Sequence, residues 1–331
     1  MENQNIQEVE EKETVVNETS VEETSQVEEH AEDSKTEMSE TEKKAQQDKT
    51  IRIILKTLVY ILLTIGAFTC LFPFYWMIMS SFKSLKEYVQ EVPTFWPQTF
   101  SFEAYDIALD YQSGLFWKTL GNSLIVGFFS TAASVVLTIL AAYAFARVEF
   151  KGKNLLFSIL LMTMMVPGEL FTITNYVQTA NWKWTDSYTI MIVPFLCSIY
   201  YIYLLRNSFK SIPESLYKAA KVDGCSDFEF LVKVMIPLSA PTIISITILK
   251  LIGTWNSYMW PELVNTSEWR LVSNWMSQAG GSTNRAQELG LTSDGPVRMA
   301  ASLIISIPLF IVFTLFRKYI MRGVSKSGIK G

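Results

Sequence analysis

Two ionisable side chains lie inside long apolar runs, where a charge is costly unless it has a role. Glu169 follows Pro167-Gly168 in one such run, and Lys250 lies in another. Ionisable groups at membrane depth usually face a bundle interior or a water-filled path. One hypothesis places both on a substrate path, paired with each other. The alternatives are a contact from Glu169 to backbone groups freed near the proline, and snorkelling of Lys250 towards an interface.

A third candidate for such a path is Asn256. It lies in the run Trp255-Asn256-Ser257-Tyr258-Met259-Trp260, which combines aromatic rings with hydrogen-bonding groups. Sugars bind by stacking on rings and by hydrogen bonding at their edges, so these residue types would suit a sugar. The alternative interpretation is an aromatic belt at the membrane interface.

Residues for covalent catalysis or metal binding are scarce. The one histidine is His30, and the three cysteines have a spacing that fits neither a disulfide framework nor a zinc site. The pair Gly152-Lys153 lacks the first glycine of an ATP-binding P-loop, because Arg147 stands in its place. We therefore expect no catalytic residue, no bound metal and no cofactor in this chain.

Charge divides the chain into two parts. Residues 1–50 hold 16 of the 32 acidic and 5 of the 28 basic residues, a net charge of −11, whereas the remainder carries +7. Such a charged segment cannot bury enough apolar surface to order itself, so 1–50 is predicted to be a disordered acidic cytoplasmic tail and not a signal peptide. It is either a solvated tail or a regulatory docking segment. Neither part suggests nucleic acid as a partner.

Apolar runs dominate residues 51–331, which are predicted to form a membrane domain. A helix needs about 20 apolar residues to cross the hydrocarbon. Basic residues cluster before the first run, after the second, between the fourth and fifth, and after the last, which predicts that both termini and the fourth connection are cytoplasmic. The prediction is an all-α polytopic protein with about six transmembrane helices. The candidate spans are 55–80, 119–146, 155–177, 188–205, 238–259 and 299–319.

The loop between the fourth and fifth runs, 211–237, is polar yet patterned like folded structure. Pro213 suits a first helical turn, and Ser211 stands before it as a candidate cap. Asp223-Gly224 predicts the end of this helix. Ser226, with Glu229 three residues later, predicts a capping box that starts a second short helix. The pattern indicates a helix-turn-helix at the membrane surface.

Apolar residues in this loop recur at helical spacing. They predict one stripe on the first helix, and a shared face for Phe228, Leu231 and Val232 on the second. One interpretation is an amphipathic helix on the inner leaflet, with its lysines towards anionic lipid. The stripe residues are Leu216, Ala219, Ala220 and Val222.

The loop also resembles a known family. Lys218-Ala219-Ala220-Lys221-Val222-Asp223-Gly224, followed by Ile236-Pro237-Leu238-Ser239-Ala240-Pro241, is similar to the cytoplasmic EAA loop of ABC importer permeases, most closely the carbohydrate-importer permeases. Met165-Val166-Pro167-Gly168 and the run from Trp255-Asn256 to Trp260-Pro261 match further parts of that family. The resemblance covers most of 52–331 and leaves out the acidic tail.

The resemblance implies a type I ABC importer permease fold in a bacterial cell membrane. Such a chain forms half of the translocation pathway for a sugar, and the resemblance favours an oligosaccharide. The implied partners are membrane lipid, a second homologous permease, a cytoplasmic ABC ATPase dimer and an extracellular solute-binding protein. ATP hydrolysis belongs to the ATPase, so this chain would be no enzyme. An importer for a non-sugar solute, an ion-coupled secondary transporter and a receptor or scaffold stay open as alternatives.

The resemblance also implies a coupling helix that docks on the ATPase. One position departs from the family pattern, because Lys218 stands where the family has glutamate. Glu214 lies four residues earlier on the same face and is the candidate for the missing charge. The implied coupling residues are Glu214, Lys218, Ala219, Ala220, Asp223, Gly224, Phe228 and Pro237.

Overall fold

The computed structural model describes residues 49–110, 114–279 and 294–325. The predicted acidic tail therefore lies outside the described residues, apart from its last two positions. Every regular element in the described ranges is helical, which confirms the all-α prediction. The chain divides into two compact units, residues 1–74 and 75–331, with the division inside the first helix. The two sites described below lie in the second unit.

Fifteen α-helices lie within these described ranges, and they carry numbers in chain order. They are α1 Lys49–Ser81, α2 Leu85–Tyr88, α3 Glu103–Asp110, α4 Leu115–Ala146, α5 Lys153–Thr163, α6 Thr172–Asn181, α7 Tyr188–Ile192, α8 Ile199–Lys210, α9 Glu214–Val222, α10 Asp227–Phe230, α11 Ile236–Leu238, α12 Ala240–Trp255, α13 Met259–Val264, α14 Val272–Ala279 and α15 Gly295–Ser325. Short 3₁₀ turns span Gly168–Phe171, Val193–Phe195 and Ser267–Trp269, and a π-helical turn spans Leu231–Met235.

Three helices are long and apolar enough to cross a membrane unbroken. They are Lys49–Ser81, Leu115–Ala146 and the part of α15 from Gly295 to Lys318. The other three predicted spans are bent helix pairs. Lys153–Thr163 meets Gly168–Asn181 at 80°, Tyr188–Phe195 meets Ile199–Lys210 at 46°, and Asp227–Leu238 meets Ala240–Trp255 at 79°. The six predicted spans thus correspond to three unbroken helices and three broken ones, and the last broken pair includes the second half of the loop 211–237, ahead of the predicted span.

Proline lies at each of the three breaks. Pro167 has an extended backbone just before a 3₁₀ turn, and Pro194 lies within another. Pro237 and Pro241 stand on either side of Ser239, which separates α11 from α12. Proline lacks an amide donor and its ring clashes with the preceding turn, so it interrupts a helix. The sharp bends follow from these positions.

Helix α4 is the centre of the second unit. It packs against α8 and α12 along its length and against α14 near its start. One buried cluster, around Phe209, Phe230 and Met235, joins the end of α4 to the loop 211–237. Another, which includes Val126 and Trp260, lies where α4 meets α7 and α13. These two clusters position the two candidate sites.

Candidate functional site

The start of the loop 211–237 is held by Arg147, directly after α4. Its Nη2 donates to the carbonyl of Phe209 (3.3 Å) and to that of Ile212 (2.6 Å). These carbonyls belong to the end of α8 and to the short turn that leads into α9. Both bonds come from one nitrogen, so a single side chain ties the end of α4 to α8 and to the start of the loop.

The first loop helix, α9, begins without a side-chain cap. Pro213 occupies the capping position, and no side chain accepts from the first amides. The predicted Ser211 cap is wrong, because its Oγ donates backwards to the carbonyl of Ser208 (2.7 Å). The hydroxyl satisfies a free carbonyl at the end of α8 and is therefore not available to α9.

The end of α9 forms a Schellman motif at Gly224. This glycine has a φ of +80°, a conformation that residues with a Cβ rarely adopt. Its amide donates to the carbonyl of Lys221 (3.1 Å), and the amide of Cys225 donates to the carbonyl of Ala220 (2.9 Å). This pair of bonds defines the motif, and it confirms the stop predicted at Asp223-Gly224.

The predicted capping box of the second loop helix is confirmed. Ser226 Oγ accepts from the Glu229 amide (3.2 Å), and Glu229 Oε2 accepts from the Ser226 amide (3.1 Å). The Ser226 amide, followed by the Lys233 ammonium, lowers the pKa of the Glu229 carboxyl to about 2. The carboxylate is therefore charged, and the cap closed, throughout the neutral range.

Asp227 is the junction between the two loop helices. Its Oδ1 accepts from the Tyr217 hydroxyl (2.9 Å), from Lys221 Nζ (3.0 Å) and from the Tyr143 hydroxyl of α4 (3.3 Å). The hydrogen bonds from Lys221 and then from Tyr217 lower the pKa of this carboxyl. The same carboxylate raises the pKa of the Lys221 ammonium and of the Tyr217 phenol. The loop therefore folds back on itself and on α4.

Sequence reasoning missed this junction. Tyr217 and Lys221 are four residues apart, so they lie on one face of α9, and Asp227 starts α10. That spacing was a usable signal for a face that meets an acid. The Tyr143 contact joins positions 84 residues apart, and no local pattern announces it.

The inner face of the loop packs on the buried cluster. The rings of Tyr217 and Phe230 meet edge to face at 5.1 Å, and Phe230 is almost fully buried. Ala220 and Cys225 pack against the same cluster. The prediction of a single apolar stripe is therefore wrong for Ala220, which turns inward because Tyr217, one turn earlier, faces the core.

The outer face of the loop exposes apolar side chains. Val222 is 88% exposed and Phe228 is 68% exposed, and Leu216 and Ala219 are exposed beside them. The shared face predicted for Phe228, Leu231 and Val232 is wrong, because Leu231 is buried while the other two point outward. A π-helical turn begins at Leu231 and changes the register there.

The charges on the outer face are paired locally. Lys218 Nζ lies 3.1 Å from Glu214 Oε1, and both side chains are mostly exposed. Glu214 thus neutralises the lysine that replaces the family glutamate. Of the coupling residues implied by the resemblance, Ala220 is half-buried and seven are exposed. The seven are Glu214, Lys218, Ala219, Asp223, Gly224, Phe228 and Pro237.

A second site is a cavity of about 400 Å³ within the apolar part of the chain. It lies where α4 meets the broken segment α7–α8, α12 and α13. Lys250 of α12 lines it, is only 9% exposed, and donates through Nζ to the carbonyl of Phe195 (2.7 Å). The side chain is therefore held inward and does not snorkel. The aromatic and hydroxyl side chains in the lining are those of Phe195, Tyr201, Trp260, Ser130, Ser198, Thr254 and Ser257.

Of the three predicted path residues, the structure places only Lys250 in this lining. Glu169 is exposed in the turn Gly168–Phe171, and Asn256 is exposed at the end of α12. No ion pair joins Glu169 to Lys250. The hypothesis that these two charges pair with each other is therefore not met, because the Lys250 ammonium donates to a backbone carbonyl and not to Glu169.

A stripe of buried hydroxyls on α4 leads away from the cavity. The hydroxyls of Ser130, Thr131, Ser134 and Thr138 are buried and have no hydrogen-bond partner in the described structure. Of these, Ser130 lines the cavity. A buried hydroxyl without a hydrogen-bond partner lowers stability. This face of α4 therefore carries hydroxyl groups whose hydrogen bonds are not made within the described residues. Within the described ranges, no cluster of His, Cys, Asp and Glu could hold a metal ion.

Comparisons with known proteins agree with this architecture. Residues 134–326 match the family described as binding-protein-dependent transport system inner membrane component. The arabinooligosaccharides transport system permease protein AraQ of Halalkalibacterium halodurans is 28% identical over 276 residues, which cover 82% of this chain and 96% of that protein. The polygalacturonan/rhamnogalacturonan transport system permease protein YtcP of Bacillus subtilis is 29% identical and covers 83% of this chain and 97% of its own length.

A solved structure shows the same fold. It is a crystal structure of a bacterial ABC transporter involved in the import of the acidic polysaccharide alginate, with a TM-score of 0.72 and 27% identity. The match covers 80% of this chain and 96% of that one. The chain therefore belongs to the family of binding-protein-dependent transport system inner membrane components: it is a multi-pass permease subunit of an ABC importer in a bacterial plasma membrane, and not itself an enzyme.

Proposed function

We propose that this permease forms half of the pathway for an oligosaccharide and is driven by a separate ATPase through the loop 211–237. The observation that carries the proposal is the outer face of α9 and α10, an exposed apolar surface on a rigidly anchored loop. The loop and both termini lie in the cytoplasm under the positive-inside rule. A second homologous permease, an ATPase dimer and an extracellular solute-binding protein complete the importer.

The outer face has the properties of a docking surface. Val222 and Phe228 are large apolar side chains that project into water, which marks a site of protein contact. Ala219 and Gly224 are small, so a partner backbone can approach closely. The locally paired charges of Glu214 and Lys218 make the surface nearly neutral there. The matching ATPase surface is expected to lack the basic group that a glutamate at position 218 would require.

The anchoring of the loop suits it to transmit force. Arg147 ties its start to α4 and α8, and Asp227 ties its middle to α4 through Tyr143. Its end continues through the π-helical turn into α12, which carries Lys250. Movement of the docked surface would therefore be transmitted to α4, α8 and α12.

The substrate proposal rests on the cavity and on the relatives. Its lining combines rings with hydroxyls, a mixture that suits a sugar. The relatives named above transport arabinooligosaccharides and polygalacturonan or rhamnogalacturonan, and the structural match imports alginate. All are carbohydrates, which favours an oligosaccharide over other solutes.

Two glycines provide a matched test of coupling. Gly224 and Gly152 both have a φ near +80°, at +80° and +81°, and a Cβ at either position would meet nothing within 4 Å. Gly224→Asp adds a charge to the docking surface, whereas Gly152→Asp adds it between α4 and α5. We expect Gly224→Asp to abolish ATPase co-purification and ATP-driven oligosaccharide uptake, and Gly152→Asp to preserve both.

Uptake in the wild type should stop on ATP depletion and persist with an uncoupler. Wild-type uptake and ATPase retention in the Gly224→Asp protein would refute the coupling proposal. Equal loss in both variants would also count against it, because the effect would then belong to the left-handed glycine and not to the docking surface.

A further inference from the structure

We infer that the cavity beside Lys250 binds the carboxylate of an acidic sugar unit, such as a hexuronate, during transport. This inference rests on the proposed function and narrows its substrate class. It concerns one cation, one free hydroxyl and two aromatic rings: Lys250, Ser130, Tyr201 and Trp260.

Lys250 is a buried cation without an acidic partner. Its side chain is 9% exposed, and its ammonium makes one hydrogen bond, to the carbonyl of Phe195. An ammonium has three donors, so two remain for a ligand. None of the ion pairs in the described structure involves Lys250, and no acidic side chain lines the cavity there. A buried charge in this state is costly and usually serves a ligand or a path.

Ser130 supplies an independent observation. Its hydroxyl is buried, has no partner in the described residues, and belongs to the cavity lining. It stands on α4, whereas Lys250 stands on α12, so the two groups approach the same space from different helices. A hydroxyl and an ammonium in one cavity match a sugar unit that carries both hydroxyl groups and a carboxylate.

The rest of the lining fits a sugar ring. Tyr201 and Trp260 offer aromatic faces, and the Trp260 indole is held by its hydrogen bond to the carbonyl of Ile190 (3.1 Å). The cavity volume of about 400 Å³ lies within the range of about 300–1,000 Å³ typical of small-molecule sites. There is room for one sugar unit of a longer chain.

The charge favours a carboxylate over a neutral sugar. A neutral sugar unit would displace water from Lys250 and leave the buried ammonium without an opposite charge. A carboxylate replaces that water with a charge-assisted hydrogen bond. The cavity offers a single cation and no guanidinium in its described lining, which suits a monoanion better than a phosphate.

The test measures equilibrium binding to the intact importer, purified from its membrane without ATP. The probes are trigalacturonate and trimannuronate, each compared with its methyl ester, which keeps the ring stereochemistry and removes the charge. One charge-assisted hydrogen bond predicts that an acid form binds about ten- to a hundred-fold more tightly than its ester, and that salt weakens the preference.

Three variants locate the effect. Lys250→Gln should abolish the preference for the acid while leaving binding of the ester unchanged, and Lys250→Arg should retain most of it. Lys118→Gln is the control, because Lys118 pairs with Glu268 on the exposed surface and lies outside the cavity lining. It should leave binding unaltered. Each variant is compared after it has eluted as an intact complex.

Three outcomes would overturn the inference. The first is equal binding of acids and esters to the wild type. The second is an unchanged preference in Lys250→Gln. The third is release of the second permease from the Lys250→Gln complex, which would identify a protein carboxylate as the partner. In each case ATP-driven uptake of a neutral oligosaccharide would leave the proposed function standing. Absence of any ATP-driven carbohydrate uptake would remove that function as well.

Discussion

The loop 211–237 and the cavity beside Lys250 satisfy their polar groups in opposite ways. In the loop, the capping box, the ion pairs and the bonds to Asp227 satisfy most of the local polar groups, and apolar side chains face outward. In the cavity, the apolar groups are packed, and a lysine and a hydroxyl are left short of partners. The proposed coupling role of the loop would benefit from internal rigidity. The proposed substrate path would benefit from polar groups that are bonded only when a ligand is present.

The largest expected effect tests the rigidity of the loop. Phe230→Ala removes a buried ring that packs on Tyr217, and it should lower the free energy of unfolding by about 3–5 kcal/mol. Phe228→Ala, two residues earlier, removes an exposed ring and should leave stability nearly unchanged while weakening ATPase co-purification. Thermal unfolding of the purified complex, together with the amount of ATPase retained, measures both. Equal destabilisation by the two variants would erase the distinction between inner and outer faces.

An intermediate effect is expected when a hydroxyl of the loop and a hydroxyl of the α4 stripe are each removed. Ser226→Ala removes a satisfied cap and should cost about 1 kcal/mol. Ser134→Ala removes a buried hydroxyl that has no partner in the described structure, and it should be neutral or stabilising by up to about 1 kcal/mol. The shift in unfolding midpoint is the measurement. A loss of stability in Ser134→Ala would show that this hydroxyl is satisfied in the assembled importer.

The smallest effect is a pH dependence confined to the loop. The pKa of Glu229 is lowered from 4.5 to about 2, so its carboxylate is the form that the folded loop prefers. Its contribution is present above pH 4.5 and is lost as the pH falls from there through about 2. Hydrogen exchange at the Ser226 and Glu229 amides, corrected for its intrinsic pH dependence, should accelerate in that window. Unchanged protection at pH 2 would contradict the role of the carboxylate in the cap.

Local patterns in the sequence predicted the parts of the structure that depend on neighbouring residues. The stop at Gly224 and the box of Ser226 and Glu229 are contacts within a few residues, so spacing was enough to find them. The apolar runs likewise predicted where helices lie.

The parts that sequence reasoning missed depend on distant contacts. Ser211 was a good cap by position, yet the end of α8 competes for its hydroxyl. Tyr143 reaches Asp227 across 84 residues, and Ser130 reaches the Lys250 cavity only because α4 packs on α12. Glu169 lies outside the cavity lining, because the bend at Pro167 leaves it exposed, and its role on the substrate path stays a prediction. Residue type indicated the chemistry, and packing decided which groups share a space.

The bend at Ser239 would let α12 act as a lever arm that turns about this residue. Two hydroxyl contacts hold the pivot, since Ser208 Oγ lies 3.2 Å from both Ser239 Oγ and Thr242 Oγ1. At a rise of about 1.5 Å per residue, Lys250 lies about 16 Å along the arm from this pivot. A turn of about 10° about Ser239 would thus carry the Lys250 backbone about 3 Å, roughly the length of one hydrogen bond. Under the proposed coupling, a small movement of the loop would therefore be enough to make or break a hydrogen bond between this ammonium and a bound sugar.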